Sequence, residues 1–265
     1  MTDSIRAKDS VSTEPPVDTD VRWVFDTNDF MVVDKPADIP VHPSGRYVQN
    51  TLETLLKAAR PHSTIHLVSR LDRETSGLVL VAKNPEAAAR LAKAPKTKRY
   101  EVLVEGDFPE GRICASGAIR RPNLPPVFSK HILAGATLTP QLPPLPENNG
   151  AATWFERLGP GPWPHTSLLS AELVTGRTHQ IRASLCTLGY PVIGDKIYGR
   201  DPTCFLRFIA DTLTPEDKAL LRLPHQALRA VELSFLGQTF RTVRPRWTAA
   251  DDWDSAAPTG RCLPF

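Results

Sequence analysis

An α+β fold is predicted from two observations: strand-type apolar runs outnumber helical patterns along the chain, and the few helical patterns carry recognisable start signals. Residues 1–20 are rich in Ser, Thr, Asp and Pro and lack an apolar period, which predicts a disordered tail. Residues 22–26 and 30–34 read as a strand pair, and the Pro-rich stretch 35–47 as a surface loop. Asn50-Thr51 caps a helix over 52–60. A charged loop from residue 68 ends at Gly77, and the apolar run after it is of strand type. Asn84-Pro85 opens a second amphipathic helix over 86–94, with its proline at the tolerated first position. Residues 100–104 return as a strand.

Residues 107–164 change character. They hold eleven of the 26 prolines, and 139–150 has little to bury, so long loops around short strands are expected. Strand signals resume at 152–157 and 167–174. The segment 173–199 then passes from an apolar strand through a Thr-Gly-Arg turn into a helix, with Thr178 as N-cap and Gly189 as C-terminal stop. A hairpin closes the fold: 231–236, a Gly237-Gln238 turn, and 239–243.

Composition is that of a globular chain: 265 residues, 41% hydrophobic and 23% charged, suffice for one large core or two small ones. No run of about eighteen apolar residues offers a membrane span, and the polar, acid-containing start is unlike a secretory signal, so a cytoplasmic protein is expected. Cys114, Cys186, Cys204 and Cys262 lie far apart, which favours reduced thiols over disulfides or a zinc cage. A net charge of +3 is too mild to identify a partner. Its distribution says more: basic residues cluster at Arg90, Lys93, Lys96, Lys98 and Arg99, at Arg120, Arg121, Lys130 and His131, and at Arg241, Arg244 and Arg246. Each cluster fits a solvated face; converging on one cleft, they would hold the phosphates of a polyanion.

Within the charged loop, Asp72 stands between Arg70 and Arg73 and ahead of Thr75-Ser76-Gly77. That arrangement suits an anion presented at a cleft floor, and equally a solvated Asp that closes a turn. Other constellations fall away. His62 and His66 have metal-ligand spacing but follow Pro61 and lack the Glu of His-Glu-x-x-His. Neither nucleotide-binding glycine loop occurs, and Gly-x-Ser-x-Gly is absent.

Three segments in order, Arg70-Leu71-Asp72-Arg73-Glu74-Thr75-Ser76-Gly77, Lys98-Arg99-Tyr100 and Thr175-Gly176-Arg177-Thr178-His179-Gln180-Ile181-Arg182, resemble the signatures of the RluA-type pseudouridine synthases. The likeness spans roughly residues 22 to 245. It implies one catalytic domain over 21–247, a mixed, largely antiparallel sheet with flanking helices and a central cleft, and a second tail over 248–265. The S4-type RNA-binding domain of many relatives is not expected, because twenty polar residues cannot form one.

The resemblance also implies the chemistry: cleavage of the glycosidic bond of a uridine in RNA, rotation of the uracil, and rejoining through C5. Asp72 would be the catalytic carboxylate and Arg182 the cation that keeps it charged. Tyr100 would stack on the base, Leu228 line the pocket beneath it, and Arg70 fill the space the flipped nucleotide vacates. No cofactor and no metal are implied; the partner would be tRNA or 23S-type rRNA carrying a loop or bulge uridine, and no membrane. Two departures stand out: Ser69 where the family has His, and Arg229 within Leu228-Arg229-Ala230 where it has His. They affect loop bracing and RNA contact more than reaction class. The rival readings are a nucleoside glycosidase that releases free base and a non-catalytic RNA-binding protein on a synthase scaffold.

Overall fold

A computed structural model of the chain describes residues 14–123, 125–242 and 247. Residues 1–13 of the expected N-terminal tail, the end of the closing strand at Val243, Arg244, Arg246, Cys262 and the tail 248–265 lie outside the described residues.

Strands β1 (Arg22–Asp26) and β2 (Phe30–Lys35) form the expected antiparallel pair. Helix α1 (Leu52–Ala59) begins at Thr51, whose side chain accepts the Thr54 N–H. The short β3 (His66–Leu67) joins β4 (Ser76–Ala82), which is buried along almost its whole length. Helix α2 (Pro85–Lys93) is capped by Asn84 and followed by β5 (Lys96–Glu105), longer at both ends than expected.

The Pro-rich region is corrected by the structure. Its strands are long rather than short, β6 (Arg112–Arg120), β7 (Ile132–Thr139) and β8 (Gly150–Pro160), the last extending the strand expected at 152–157, while the expected loop lies between β7 and β8. Their Ala, Gly, Ser and Thr give a weak apolar signal, and the prolines sit in the connections or at the end of β8, where no ladder hydrogen bond is lost. Strand β9 (Thr166–Leu173) leads to α3 (Gln180–Thr187). Two helices escaped the sequence reading: α4 (Cys204–Ile209) and α5 (Pro215–Leu221), the latter opened by a Thr214–Asp217 capping box. The chain closes with β10 (Leu228–Phe235) and β11 (Gln238–Arg241). Their turn is Leu236-Gly237, one residue earlier than expected, since both residues adopt the positive φ that a two-residue hairpin loop requires.

The eleven strands form one sheet in the order β1-β2-β4-β10-β5-β9-β8-β6-β7, with β3 on β4 and β11 on β10. All pairings are antiparallel except β10 with β4, where Arg229 faces Ser76 and Ala230 faces Gly77. This confirms a mixed, largely antiparallel sheet. It also fixes the centre of the molecule: a single row across adjacent strands runs Gly77, Ala230, Tyr100, Ala171. Cores flank this row, one built around Tyr100, Val102, Tyr198 and Leu228, another around Met31, Leu52 and Val79. Residues 14–20, assigned to the tail from sequence, lie against the fold: Val17 is buried, and the Glu14 carboxylate accepts the N–H groups of Val48, Gln49 and Asn50. No helix of the described residues is long and apolar enough to cross a membrane.

Gly77 is required where β4 meets β10. Its φ is +109, and a Cβ there would lie 2.2 Å from the Ala230 carbonyl oxygen, an unyielding backbone atom. Gly77→Ala is therefore expected to lower the unfolding free energy by at least about 2 kcal/mol in urea titrations, whereas Gly176→Ala, which meets open space, should stay within about 0.5 kcal/mol of wild type.

Candidate active site

A cleft of about 1080 Å³ lies across the sheet and is lined by Arg70, Asp72, Tyr100, Arg182 and Leu228, so the structure brings together all five residues singled out in the sequence. Asp72 is held in a turn, its carbonyl accepting the Thr75 N–H. Arg182 projects from α3 and donates Nη1–H to Asp72 Oδ2 at 2.7 Å. The rest of the guanidinium grips Asp195, through Nε to Oδ2 at 2.6 Å and Nη2 to Oδ1 at 2.9 Å. Arg182 and Asp195 are buried, whereas Asp72 keeps 31% of its side chain open. Burial disfavours the Asp72 anion, but Arg182 outweighs it and holds the carboxyl below its ordinary range. Asp72 Oδ1 receives no hydrogen bond from a described residue; His179 Nε2, at 3.9 Å, is across from it.

Asp195 went unassigned in the sequence reading, although Gly194-Asp195 has the composition of a turn. Its Oδ1 also accepts the N–H groups of Ile197 and Tyr198, so it closes that turn while holding the arginine. The next residue, Lys196, donates to both oxygens of Glu74 at 2.9 Å. Adjacent positions in one turn thus fix Arg182 and the far end of the Asp72 loop. Burial alone would raise the Glu74 pKa, but Lys196 and Arg73 bring it down to about 2. Arg73 reaches Tyr47 Oη at 2.7 Å and Asp38 at 3.2 Å, and so ties this loop to the 36–47 loop. The fully buried Lys35 ammonium does the same through the carbonyls of Pro36, Ile39 and Arg73.

The departures from the family pattern have structural answers. Ser69 is buried and its Oγ accepts the Leu80 N–H at 3.1 Å, bracing the loop against β4. Arg229 is buried and donates to Glu101 at 2.7 Å. Tyr100 is buried between Ala230 and Ala171, and burial, then the Asp72 charge, pushes its hydroxyl pKa up, so the phenol stays protonated. Leu228 opens β10 beside it. Arg70 is exposed and makes no ion pair with a described residue.

Thr178 does not cap α3. His179 takes that position with φ 54, and the Gln180 side chain instead accepts from Thr175 Oγ1 and the Arg177 N–H. Gly189, φ +87, ends the segment as expected. The first basic cluster does not converge on the cleft as a group. Arg90 pairs with Asp29 and Arg99 with Glu232, while Lys96 caps the carbonyls of α2. Of that group Lys98 alone lines the cleft, its pKa pushed down to about 8 by burial and then by Lys96. Arg46 and Arg177, which also line the cleft, come from loops. Ligand-type side chains gather at Asp38, Glu74 and His225 and at Asp201, Cys204 and Asp217, but Lys196, Arg73 and Arg207 already neutralise them. His62 is exposed and His66 lies in β3.

Residues 29–186 match the family described as RNA pseudouridylate synthase. The chain is 34% identical over 195 residues to the yeast (Saccharomyces cerevisiae) protein titled "tRNA pseudouridine(32) synthase, mitochondrial", covering 71% of this chain and 39% of that one. It is 31% identical over 221 residues to "Ribosomal large subunit pseudouridine synthase D" of Nitrosomonas europaea, covering 80% and 57%. It thus spans less than two thirds of either relative. Among solved structures, "Human RNA Pseudouridylate Synthase Domain Containing 1" shares the fold, with a TM-score of 0.61 at 24% identity over 88% of this chain and 86% of that one.

The Glu74–Lys196 pair makes a pH prediction. A folded-state pKa below the unfolded value means that Glu74 stabilises the fold above about pH 4.5 and loses that contribution as pH falls toward about 2. Glu74→Gln is expected to cost about 3 kcal/mol at pH 7, because it strands a buried lysine, and to flatten the acid limb of stability measured by urea titration at stepped pH.

Proposed function

The chain belongs to the RNA pseudouridylate synthase family, and from that premise we propose that it converts uridine in RNA to pseudouridine in the Asp72 cleft. The observation that carries the proposal is the asymmetry of Asp72: one oxygen is fixed by a permanently charged arginine, and the other is left open to the cleft.

Each step has a group suited to it. Asp72 Oδ1 is free to attack the nucleotide or to stabilise charge at the ribose as the glycosidic bond breaks. Arg182 keeps that carboxylate ionised through the reaction. Tyr100, held between two alanines, offers a flat face for the uracil, and Leu228 closes the pocket below it, so the detached base is confined while it turns. Arg70, unpaired among the described residues, is the group to occupy the gap left by a uridine flipped from its stack, an event that costs a few kcal/mol and least in loops and bulges. The reaction has no net redox change and calls on no cofactor.

RNA as partner is supported by the composition of the cleft. Arg46, Arg70, Lys98 and Arg177 line the same cleft as Phe205 and Phe208 of α4, which brings together the phosphate-binding cations and aromatic surfaces that single-stranded RNA requires. Relatives bear titles naming tRNA and the large ribosomal subunit, and a loop uridine in either is the proposed target. The catalytic unit is proposed to span residues 21–247 with tails on either side. Cytoplasmic placement is likewise only proposed, and one relative's title reads mitochondrial instead.

Tritium release from cellular RNA carrying 5-tritiated uridine tests the reading. Wild type is expected to release tritium with RNA mass unchanged, and Asp72→Asn to lose at least about 1000-fold. Free uracil would establish a hydrolase instead, and an inactive wild type that still binds RNA would establish the scaffold role. Arg70→Ala is expected to lower the rate on structured RNA roughly tenfold while sparing an unpaired oligonucleotide; equal rates on both would remove its assigned role.

A further inference from the structure

His179 is placed without serving the helix it begins: its φ is 54, in the left-handed region, and its side chain makes no capping bond. The ring instead joins a short chain of hydrogen bonds. The Tyr198 hydroxyl accepts the His131 backbone N–H at 2.9 Å. Its own proton is then free for an imidazole nitrogen, and the nearer one is His179 Nδ1 at 2.9 Å, against His131 Nδ1 at 3.4 Å. An O–H donated to Nδ1 leaves the ring proton on Nε2. Nε2 faces Asp72 Oδ1, the oxygen that Arg182 leaves open, at 3.9 Å. That gap is too long for a hydrogen bond and leaves both groups free to contact one substrate between them.

We propose that His179 is a neutral hydrogen-bond donor to the target nucleotide, its Nε2–H binding an acceptor oxygen of the uridine seated against Asp72 Oδ1, with Tyr198 as the positioning residue that sets the tautomer. The substrate in this inference rests on the synthase reading; the tautomer does not. Neutrality suits the position: burial and then the Arg182 charge push the His179 pKa down to about 4, against the opposing pull of Asp72 and Asp195. A cation there would pair with Asp72 and occupy the oxygen needed for reaction, whereas a neutral N–H adds direction without cancelling the charge.

Two measurements decide it. Nitrogen-15 NMR of the ring should show Nε2 protonated and Nδ1 bare in the wild type from about pH 6 to 8, and a mixture of tautomers in Tyr198→Phe. In single-turnover tritium release, His179→Asn, whose short amide reaches Tyr198 but not Asp72, should lose roughly 100-fold in rate with RNA affinity within about threefold of wild type. His179→Gln, which carries an amide N–H to the Nε2 position, should recover at least about tenfold of that loss. If the Asn variant fails to fold, Tyr198→Phe carries the kinetic arm, with a drop of about tenfold expected at unchanged RNA affinity. A ring protonated on Nδ1 or doubly protonated in the wild type would overturn the proposal, as would equal rates for the Asn and Gln variants. An inactive wild type would defeat the synthase reading itself, while the NMR result still decides the tautomer.

Discussion

A single buried guanidinium organises this molecule. Arg182 has lost almost all contact with water, and a charge so placed is tolerable only when its donors are matched by anions in good geometry. Asp195 supplies a two-pronged match through Nε and Nη2, and an Nη1 N–H goes to Asp72. The three groups together carry one net negative charge, and it resides on the member that still meets the cleft. Asp195 is in turn fixed by two backbone N–H groups of its own turn, and Lys196 beside it grips Glu74 two residues past Asp72. The Asp72 carboxylate is thereby held by ion pairs on both sides of its loop.

The sheet supplies the other half of the geometry. At its centre the residues on either side of Tyr100 are alanines, and beyond one of them lies Gly77, where even a methyl group would collide with the neighbouring backbone. Small residues here bring β4, β10 and β5 together while leaving room for one aromatic ring above them.

The sequence carried the site more clearly than the fold around it. Asp72, Tyr100 and Arg182 were legible because they belong to short segments with fixed spacing, and α1 and α2 because Thr51 and Asn84 are strong local caps. What was not legible depends on distant contacts. Strands β6 and β7 are built from Ala, Gly, Ser and Thr that become strand only through their partners, and their proline-studded connections masked them. Helix α4 has fewer than two turns and owes its place to Arg207, which links Asp201, Thr203 and Asp217. Asp195 and Lys196 went unassigned because nothing local reveals that their partners are Arg182 and Glu74, the latter 122 residues from Lys196. Thr178 failed as a cap because Gln180 took the hydrogen bonds of the turn.

The lone parallel pairing has a bearing on how the protein is born. The strand that leaves the Asp72 loop finds its neighbour in β10, and the contact between Thr75 and Gln226 closes a span of 151 residues. Asp72 itself waits for an arginine 110 residues downstream. During synthesis the first third of the chain leaves the ribosome with Asp72 still without Arg182 and its sheet open along β4, and no local contact can finish either. The cleft is therefore completed only when β10 pairs with β4, and a chain that ends before β10 lacks both that strand and the Leu228 wall.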